Sequence, residues 1–356
     1  MLDDLINARI FAKSVKYSGD TLLADKSFKT QNDEIDTYFS LNSMLVTSTV
    51  TPIIANSIKN VIHRLQIPES SVKAYVYASP EIQAECYSGN YADCVIRLSS
   101  GLIDILEDEE IEFVIGHELG HFLYDHGLAI RSNKNDSLEF LIQKRAQEVS
   151  ADRIGLLASE SLDVSIRAMM KTMSGLSSKY LNFNIAAFIS QLSNTSNYKS
   201  QINLNSSHPS MLIRCRALLW FSMSETFKTG KKNYQLSEIN ILNNKIQADI
   251  DKLVDSAIRD KIRDLKRDLA IWLSASIFVM NGNFNKKDQK IFKDMFGQKT
   301  LDSLKIFLSN NNNIASAKKS VINKLEGAKT ELCHAIPSSF EDEMKSLESK
   351  INLSYN

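Results

Sequence analysis

His117-Glu118-Leu119-Gly120-His121 is the stretch that decides how this chain of 356 residues is interpreted. It has the form His-Glu-x-x-His and lies in a segment that we expect to be helical. On a helix, two imidazoles four residues apart differ by about 40° in direction, so both point at one metal ion and the glutamate lies beside it. The stretch therefore indicates the site of a zinc hydrolase.

The residues around this stretch support the helix. Glu107-Asp108-Glu109-Glu110 places acid at its start, where acid complements the helix dipole, and Gly127 is suited to end it. His126 follows His121 by five residues and should point away, so we interpret it as a partner of the helix dipole and not as a ligand. Chance alone places His-Glu-x-x-His in on the order of one chain in a hundred, so a plain pair of helix histidines is the alternative.

The third ligand must come from elsewhere, because a zinc hydrolase uses three protein ligands and leaves one position open for water. A second helix is predicted from about 138 to 159, and Glu148 and Asp152 share one of its faces. Glu148 as a ligand and Asp152 as acceptor for a ligand histidine would give both carboxylates a partner. The alternative is a solvated acidic pair on a helix that also carries Lys144, Arg145 and Arg153.

The composition excludes several classes of protein. Lys plus Arg and Asp plus Glu both total 42, which leaves no net charge to attract nucleic acid. No apolar segment follows the acidic start, Met1-Leu2-Asp3-Asp4-Leu5, so we expect no secretory signal. The most apolar stretch, Leu269 to Met280, is shorter than the roughly 20 residues that span a bilayer, and we interpret it as a buried helix. We therefore predict a soluble, cytoplasmic protein with no transmembrane segment.

The chain is predicted to be a mostly helical α+β protein, since it has only 12 glycines and 5 prolines. Residues 72–79 and 93–98 are candidate strands that would form a small antiparallel sheet before the metal-binding helix. A polar, basic stretch at 228–233 is the best boundary. We expect residues 1–228 to form a catalytic domain with N-terminal helices packed on its core, and residues 229–356 an all-helical domain.

Residues 72–220 resemble the gluzincin zinc metallopeptidases, in particular the HtpX-type heat-shock proteases and the CAAX prenyl proteases. In that family a strand leads to Gly-Leu, then come His-Glu-x-Gly-His, Glu-x-x-Ala-Asp, and His-Pro with arginine six residues on. The chain has Gly101-Leu102, His117 to His121, Glu148 to Asp152, and His208-Pro209 followed by Arg214. The resemblance implies a zincin-like fold and hydrolysis of protein or peptide substrates.

Carried over to matching positions, the resemblance makes His117, His121 and Glu148 the ligands of Zn²⁺. Glu118 would be the general base that takes a proton from water and passes it to the leaving amine. Asp152 would orient a ligand.

Roles beyond the metal follow from the same resemblance. His208 would donate a hydrogen bond to the tetrahedral oxyanion, and Arg214 would support that region. Without the family pattern, His208-Pro209 in a serine-rich stretch is a surface turn. In such peptidases an extended substrate commonly pairs with the edge of the sheet, and Val95, Ile96 and Arg97 are the candidate substrate-binding residues.

The C-terminal part carries a weaker signal. Residues 269–297 faintly resemble the TerB-like helical module, but Asn281-Gly282 and Asp288 stand where that family usually has Asp-Gly and a later Glu. A helical interaction domain that binds a protein partner is the other interpretation. For the whole chain we predict a zinc-dependent endopeptidase; the alternative is a non-catalytic or latent scaffold whose C-terminal helices bind a partner.

Overall fold

The computed structural model of the chain describes residues 2–20, 32–88, 93–126, 137–195, 211–228, 236–250, 256–280, 284–311 and 313–355. It divides into two compact units, residues 1–133 with 142–255 and residues 134–141 with 256–356. The fold is mostly helical with one small sheet, which confirms the predicted α+β class. The predicted domain boundary after residue 228 stays a prediction.

The sheet has four strands, which are β1 (Met44–Leu45), β2 (Val72–Tyr77), β3 (Ala84–Ser88) and β4 (Cys94–Ser99). They lie in the order β1-β2-β4-β3. Both predicted strands are present, but the prediction that they pair antiparallel is wrong, because β2 and β4 are parallel. The connection between them contains β3, which runs back antiparallel to β4, so β4 returns in the direction of β2.

The position of β4 contradicts the substrate-binding role predicted for Val95, Ile96 and Arg97. β4 lies between β2 and β3, so both of its sides are already hydrogen-bonded to neighbouring strands. A substrate strand needs unpaired N–H and C=O groups, which only an edge strand offers. Within the described part of the chain, β3 has one neighbour and is the edge strand nearest α5 (Asp108–Leu123).

Glycines bring α5 and α6 (Leu138–Ser159) into close contact. A Cβ atom added at Gly120 would lie 2.9 Å from the Cα of Ala151, and one added at Gly155 would lie 2.8 Å from the ring of Phe113. Gly116 faces Ala158 in the same way. Side chains at these points would push the helices apart, so the glycines set the distance across which residues of α5 and α6 meet.

Further helices surround this pair and share one hydrophobic core with it. They are α1 (Leu2–Val15), α3 (Pro52–Leu65), α4 (Ser100–Ile105), α7 (Leu162–Ser174), α8 (Ile185–Thr195), α9 (Met211–Ser222), α10 (Glu225–Lys228) and α11 (Leu236–Ile250). In α2 (Asn32–Asn42), Phe39 belongs to a separate cluster with Tyr75 and Val95 of the sheet. α9 and α10 follow each other closely along the chain. Ser224 separates them, since its hydroxyl accepts a hydrogen bond from the backbone N–H of Phe227 and starts α10.

The second unit contains α12 (Ser256–Met280), α13 (Lys286–Phe296), α14 (Gln298–Ser309), α15 (Ile314–Ala335) and α16 (Phe340–Tyr355). Its described residues form no strand, in agreement with the predicted all-α C-terminal part. Leu269, Ala275 and Phe278 of α12 are buried, as the apolar character of residues 269–280 predicts. Asn281-Gly282 lies outside the described residues. Nowhere in the described ranges does a helix combine the length and the apolar character needed to cross a membrane.

Candidate metal centre

Three side chains from two helices meet at one point beside the sheet. The Nε2 atoms of His117 and His121 lie 3.1 Å apart. Glu148 presents Oε2 3.6 Å from His117 Nε2 and Oε1 3.5 Å from His121 Nε2. Zn²⁺ with ligand distances of roughly 2.0–2.1 Å in tetrahedral geometry holds its ligand atoms about 3.3 Å apart. The three separations are close to that value, so the donor set fits a zinc ion.

The acidic pair on α6 is not a solvated surface feature. Glu148 is 6% exposed and Asp152 is 1% exposed. Arg145 and Arg153, which suggested a charged outer face, are also buried. Arg153 donates to the carbonyl of Val15 at 2.8 Å, so this side of α6 contacts α1 and not water.

Asp152 and Arg214 hold His117 in place. His117 Nδ1 lies 2.9 Å from Asp152 Oδ1, so the Nδ1–H donates to the carboxylate and Nε2 keeps its lone pair for a metal. Arg214 contacts both carboxylates, with Nη2 donating to Asp152 Oδ1 at 2.6 Å and Nη1 lying 3.0 Å from Glu148 Oε2. Burial opposes the ionisation of Asp152, but the charge and hydrogen bonds of Arg214 outweigh it and hold the pKa of Asp152 below its ordinary value.

His121 is held by a second chain of hydrogen bonds. Its Nδ1 lies 2.8 Å from His126 Nδ1, and His126 Nε2 lies 2.8 Å from Asp20 Oδ2. The prediction that His126 points away from the site is therefore wrong. α5 ends at Leu123, and Asp125 adopts a left-handed φ of 57°, which turns the chain so that the ring of His126 returns to His121.

Asp20 and His126 are functional candidates that the sequence did not reveal. Both are buried, with exposures of 3% and 1%. Burial lowers the pKa of His126, so its imidazole is neutral at neutral pH. Asp20 precedes His126 by more than 100 residues and belongs to no local motif. A histidine shortly after a metal-binding helix was the one available signal, and helical periodicity misplaced it because the helix had already ended.

Glu118 lies among the candidate ligands and points into the same site. It is 8% exposed, and its carboxylate accepts no hydrogen bond from any of the described residues. Burial raises the pKa of Glu118 to about 7. A carboxylate with this pKa exchanges a proton readily near neutral pH, as a general base must.

The pKa values of the two candidate histidine ligands are shifted in opposite directions. Burial lowers the pKa of His121 to well below the usual range, so this imidazole is neutral and has a lone pair available at Nε2. Burial alone would also lower the pKa of His117. The hydrogen bond to Asp152 and the charge of Glu148 outweigh burial and raise the pKa of His117. A metal ion at Nε2 of His117 therefore competes with a proton.

The structure describes some of the remaining predicted site residues and not others. His208 lies outside the described residues, so its role stays a prediction. Arg214 lies against Asp152 and Glu148, and its contacts are to these carboxylates. Arg97 pairs with Glu85 at 2.9 Å and places its guanidinium over the rings of Phe39 and Tyr77.

Part of the chain is similar to known metallopeptidases. Residues 49–143 match the family model of Peptidase family M48, a match that includes His117 and His121 and ends before Glu148. The plastoglobule-localized metallopeptidase 48 of Arabidopsis thaliana, a chloroplastic protein, is 27% identical over an alignment of 138 residues that covers 33% of this chain and 39% of that protein. The metalloprotease YcaL of Escherichia coli is 53% identical over 38 residues, which are 11% of this chain and 15% of that protein.

The similarity is confined in extent. The chain spans less than half the length of these curated relatives. No solved structure matches the chain significantly. The comparisons thus support a metallopeptidase-like segment around the helix that bears the two histidines.

Proposed function

We propose that the chain is a zinc-dependent endopeptidase that hydrolyses peptide bonds of protein substrates. The observation that carries this proposal is the arrangement of His117, His121 and Glu148, whose donor atoms lie close enough together to bind one zinc ion, beside the buried carboxylate of Glu118. A structural zinc site normally has four protein ligands, whereas three ligands leave one position for water or substrate. The match of residues 49–143 to Peptidase family M48 supports the same assignment.

Each residue of the proposed site has its own role in hydrolysis. Zn²⁺, when bound, supplies Lewis acidity that polarises the scissile carbonyl and acidifies water. Glu118 takes the proton of the attacking water on its carboxylate and delivers it to the leaving amine nitrogen. Asp152 and Arg214 keep the Nε2 of His117 and the carboxylate of Glu148 directed at the ion. His208, as the resemblance implies, would donate a hydrogen bond to the developing oxyanion.

The outer edge of β3, which has one neighbouring strand among the described residues, is the place where an extended substrate would bind. Ser99 N–H donates to the carbonyl of Gln83 at 3.0 Å, which fixes the alternation of the ladder between β3 and β4. Glu85 then directs its backbone groups toward β4, and Ala84 directs its groups outward. β3 also packs beside α5, so a peptide added to this edge would run past Glu118.

The decisive experiment compares Glu118→Gln with wild type. We expect the purified wild type to contain about one zinc per chain and to cleave a denatured protein such as casein. Glu118→Gln removes the base and none of the ligands, so it should keep its zinc and lose activity by a factor of at least about 10². Glu109→Gln is the matched control, since Glu109 is an exposed glutamate of the same helix and should behave as wild type.

The result can also refute the proposal. A wild-type protein that carries zinc but cleaves no protein substrate would favour a scaffold with a latent metal site. Equal activity in wild type and Glu118→Gln, after removal of contaminating proteases, would exclude the proposed mechanism.

A further inference from the structure

The two candidate histidine ligands differ in what lies behind them. Asp152, a carboxylate, accepts the Nδ1–H of His117 directly. Behind His121 lies a second imidazole, that of His126, and the carboxylate of Asp20 lies behind His126. Asp20 is itself fixed, because its Oδ1 accepts a hydrogen bond from Gln143 Nε2 at 2.9 Å.

The hydrogen bonds allow one arrangement of protons that leaves His121 ready to bind a metal. Nε2 of His121 must carry the lone pair, so its proton is on Nδ1 and is donated to His126 Nδ1. His126 must then carry its own proton on Nε2, where it donates to Asp20 Oδ2. The carboxylate of Asp20 accepts only, and it therefore sets the tautomers of both histidines from a distance.

We propose that Asp20 and His126 form a positioning relay for His121, and that the N-terminal segment through this relay sets the affinity of the chain for zinc. The inference rests on the proposed metal centre and not on the hydrolysis of peptides. Asp20 lies outside residues 49–143, the part that matches the family model. The relay would thus make residues before that part a component of the metal site.

The segment that carries Asp20 is tied to the metal-binding helices at several points. The backbone N–H of Tyr17 donates to the hydroxyl of Ser150 on α6 at 3.1 Å, and the hydroxyl of Tyr124 donates to the carbonyl of Ala12 at 2.7 Å. Arg9 pairs with Asp125 at 3.0 Å. This last pair anchors α1 next to the relay without taking part in it, and it provides a matched control.

Asp20→Asn is the sharpest variant because it changes the shape of the side chain little. An amide has one oxygen, and both His126 and Gln143 need an acceptor at this position. If the amide nitrogen faces His126 Nε2, the proton of His126 moves to Nδ1 and opposes the Nδ1–H of His121. The lone pair of His121 is then no longer held toward the metal.

The measurement is the zinc dissociation constant, obtained by competition with a chromogenic chelator on protein first stripped of metal. Loss of a residue that orients a ligand typically weakens metal binding about 10- to 100-fold. We expect this loss in Asp20→Asn and in His126→Phe, and a smaller loss in His126→Gln, whose amide retains an acceptor and a donor. Asp125→Asn should bind zinc as wild type does, because asparagine readily adopts the left-handed backbone of this position and only the pair with Arg9 is lost. If His126→Phe fails to fold by circular dichroism, Asp20→Asn and His126→Gln carry the test.

A second readout reports the tautomer itself. Long-range ¹H–¹⁵N NMR of the metal-free protein should show His121 protonated at Nδ1 in wild type and in Asp125→Asn, and a mixture of tautomers in Asp20→Asn. Unchanged zinc affinity and an unchanged tautomer in Asp20→Asn would overturn the relay. Equal weakening in Asp125→Asn and Asp20→Asn would also overturn it, since loosening of α1 would then be the cause.

These outcomes are separable from those of the proposed function. A wild type that binds zinc tightly but cleaves no protein leaves the relay testable and refutes only the endopeptidase. A wild type that binds no zinc refutes both.

Discussion

Arg214 donates two hydrogen bonds to Asp152, from Nε to Oδ2 at 2.7 Å and from Nη2 to Oδ1 at 2.6 Å. The same guanidinium reaches Glu148, so one cation compensates two buried carboxylates of α6. The arrangement is strongly directional, because the planar fork of arginine matches a carboxylate and lysine does not. α9, which carries Arg214, is thereby joined to the candidate ligands.

Arg214→Met should destabilise the metal-free protein strongly. It leaves Asp152 and Glu148 buried without their cation, and breaking a buried pair in this way costs about 3–5 kcal/mol in the free energy of unfolding. Arg216→Met is the control on the same helix, since Arg216 and its partner Asp249 are partly exposed and the pair contributes about 1 kcal/mol or less. Urea unfolding of the three proteins measures the difference, and equal midpoints for the two variants would contradict it.

The part of the site that follows from helical periodicity was predictable. His117 and His121 share a face because they are four residues apart, and Glu148 and Asp152 do so for the same reason. The structure brings these two faces together, at the distances given above. Sequence spacing is enough to predict that two residues share a face when both lie within one helix.

The rest depends on contacts between residues distant in sequence, which spacing does not reveal. Asp20 meets His126 only because Asp125 takes a left-handed conformation and α1 packs alongside. The placement of β4 in the middle of the sheet depends on the return of β3, and a single candidate strand carries no sign of its neighbours. The sequence reveals the His-Glu-x-x-His motif, but it does not reveal that His126 and Asp20 support His121.

Gly120→Ala should destabilise the contact between α5 and α6. The added methyl would lie 2.9 Å from the Cα of Ala151, a backbone atom that cannot give way without moving the helix. Overpacking of this kind costs about 1–3 kcal/mol, and it should also lower zinc affinity because Glu148 moves with α6. Gly327→Ala is the matched control, since Gly327 lies within α15 with no atom near its added methyl. It should raise stability by about 0.5–1 kcal/mol. Thermal unfolding with and without zinc measures the stability change of each variant. A Gly120→Ala protein more stable than wild type would contradict the tight packing of α5 and α6.

Substrate peptides with methylated backbone nitrogens should show where the peptide pairs. If a substrate adds to β3, its backbone hydrogen bonds with the strand, such as those with Ala84, recur at every second residue of the peptide. Methylation of one such nitrogen should lower kcat/KM about tenfold, the equivalent of about 1.4 kcal/mol for one hydrogen bond. Methylation of the intervening nitrogens should have little effect. A series of peptides methylated at one position each provides the measurement, and an effect without alternation would argue against strand addition.

Zinc binding should release protons, and Glu118 should supply a measurable share of them. The pKa of His117 is raised, so near pH 6.5 this imidazole is protonated more often than an ordinary histidine, and it must lose its proton to bind zinc. Glu118, with a pKa of about 7, is mostly protonated there, and the nearby cation favours its ionised form. Affinity for zinc should therefore rise with pH until both groups are deprotonated in the free protein, and proton release should vanish above that range.

Calorimetric titration in buffers of different ionisation enthalpy counts the protons. At about pH 6.5, a carboxyl group with a pKa of about 7 is mostly protonated, so Glu118→Gln should release fewer protons than wild type, by up to one per chain. Glu109→Gln should match wild type, because the exposed carboxylate of Glu109 lies at the start of α5, away from the ligands. Equal proton release by wild type and Glu118→Gln would mean that the Glu118 carboxyl is already ionised in the metal-free protein. Burial would then not have prepared it as the base that the proposed hydrolysis requires.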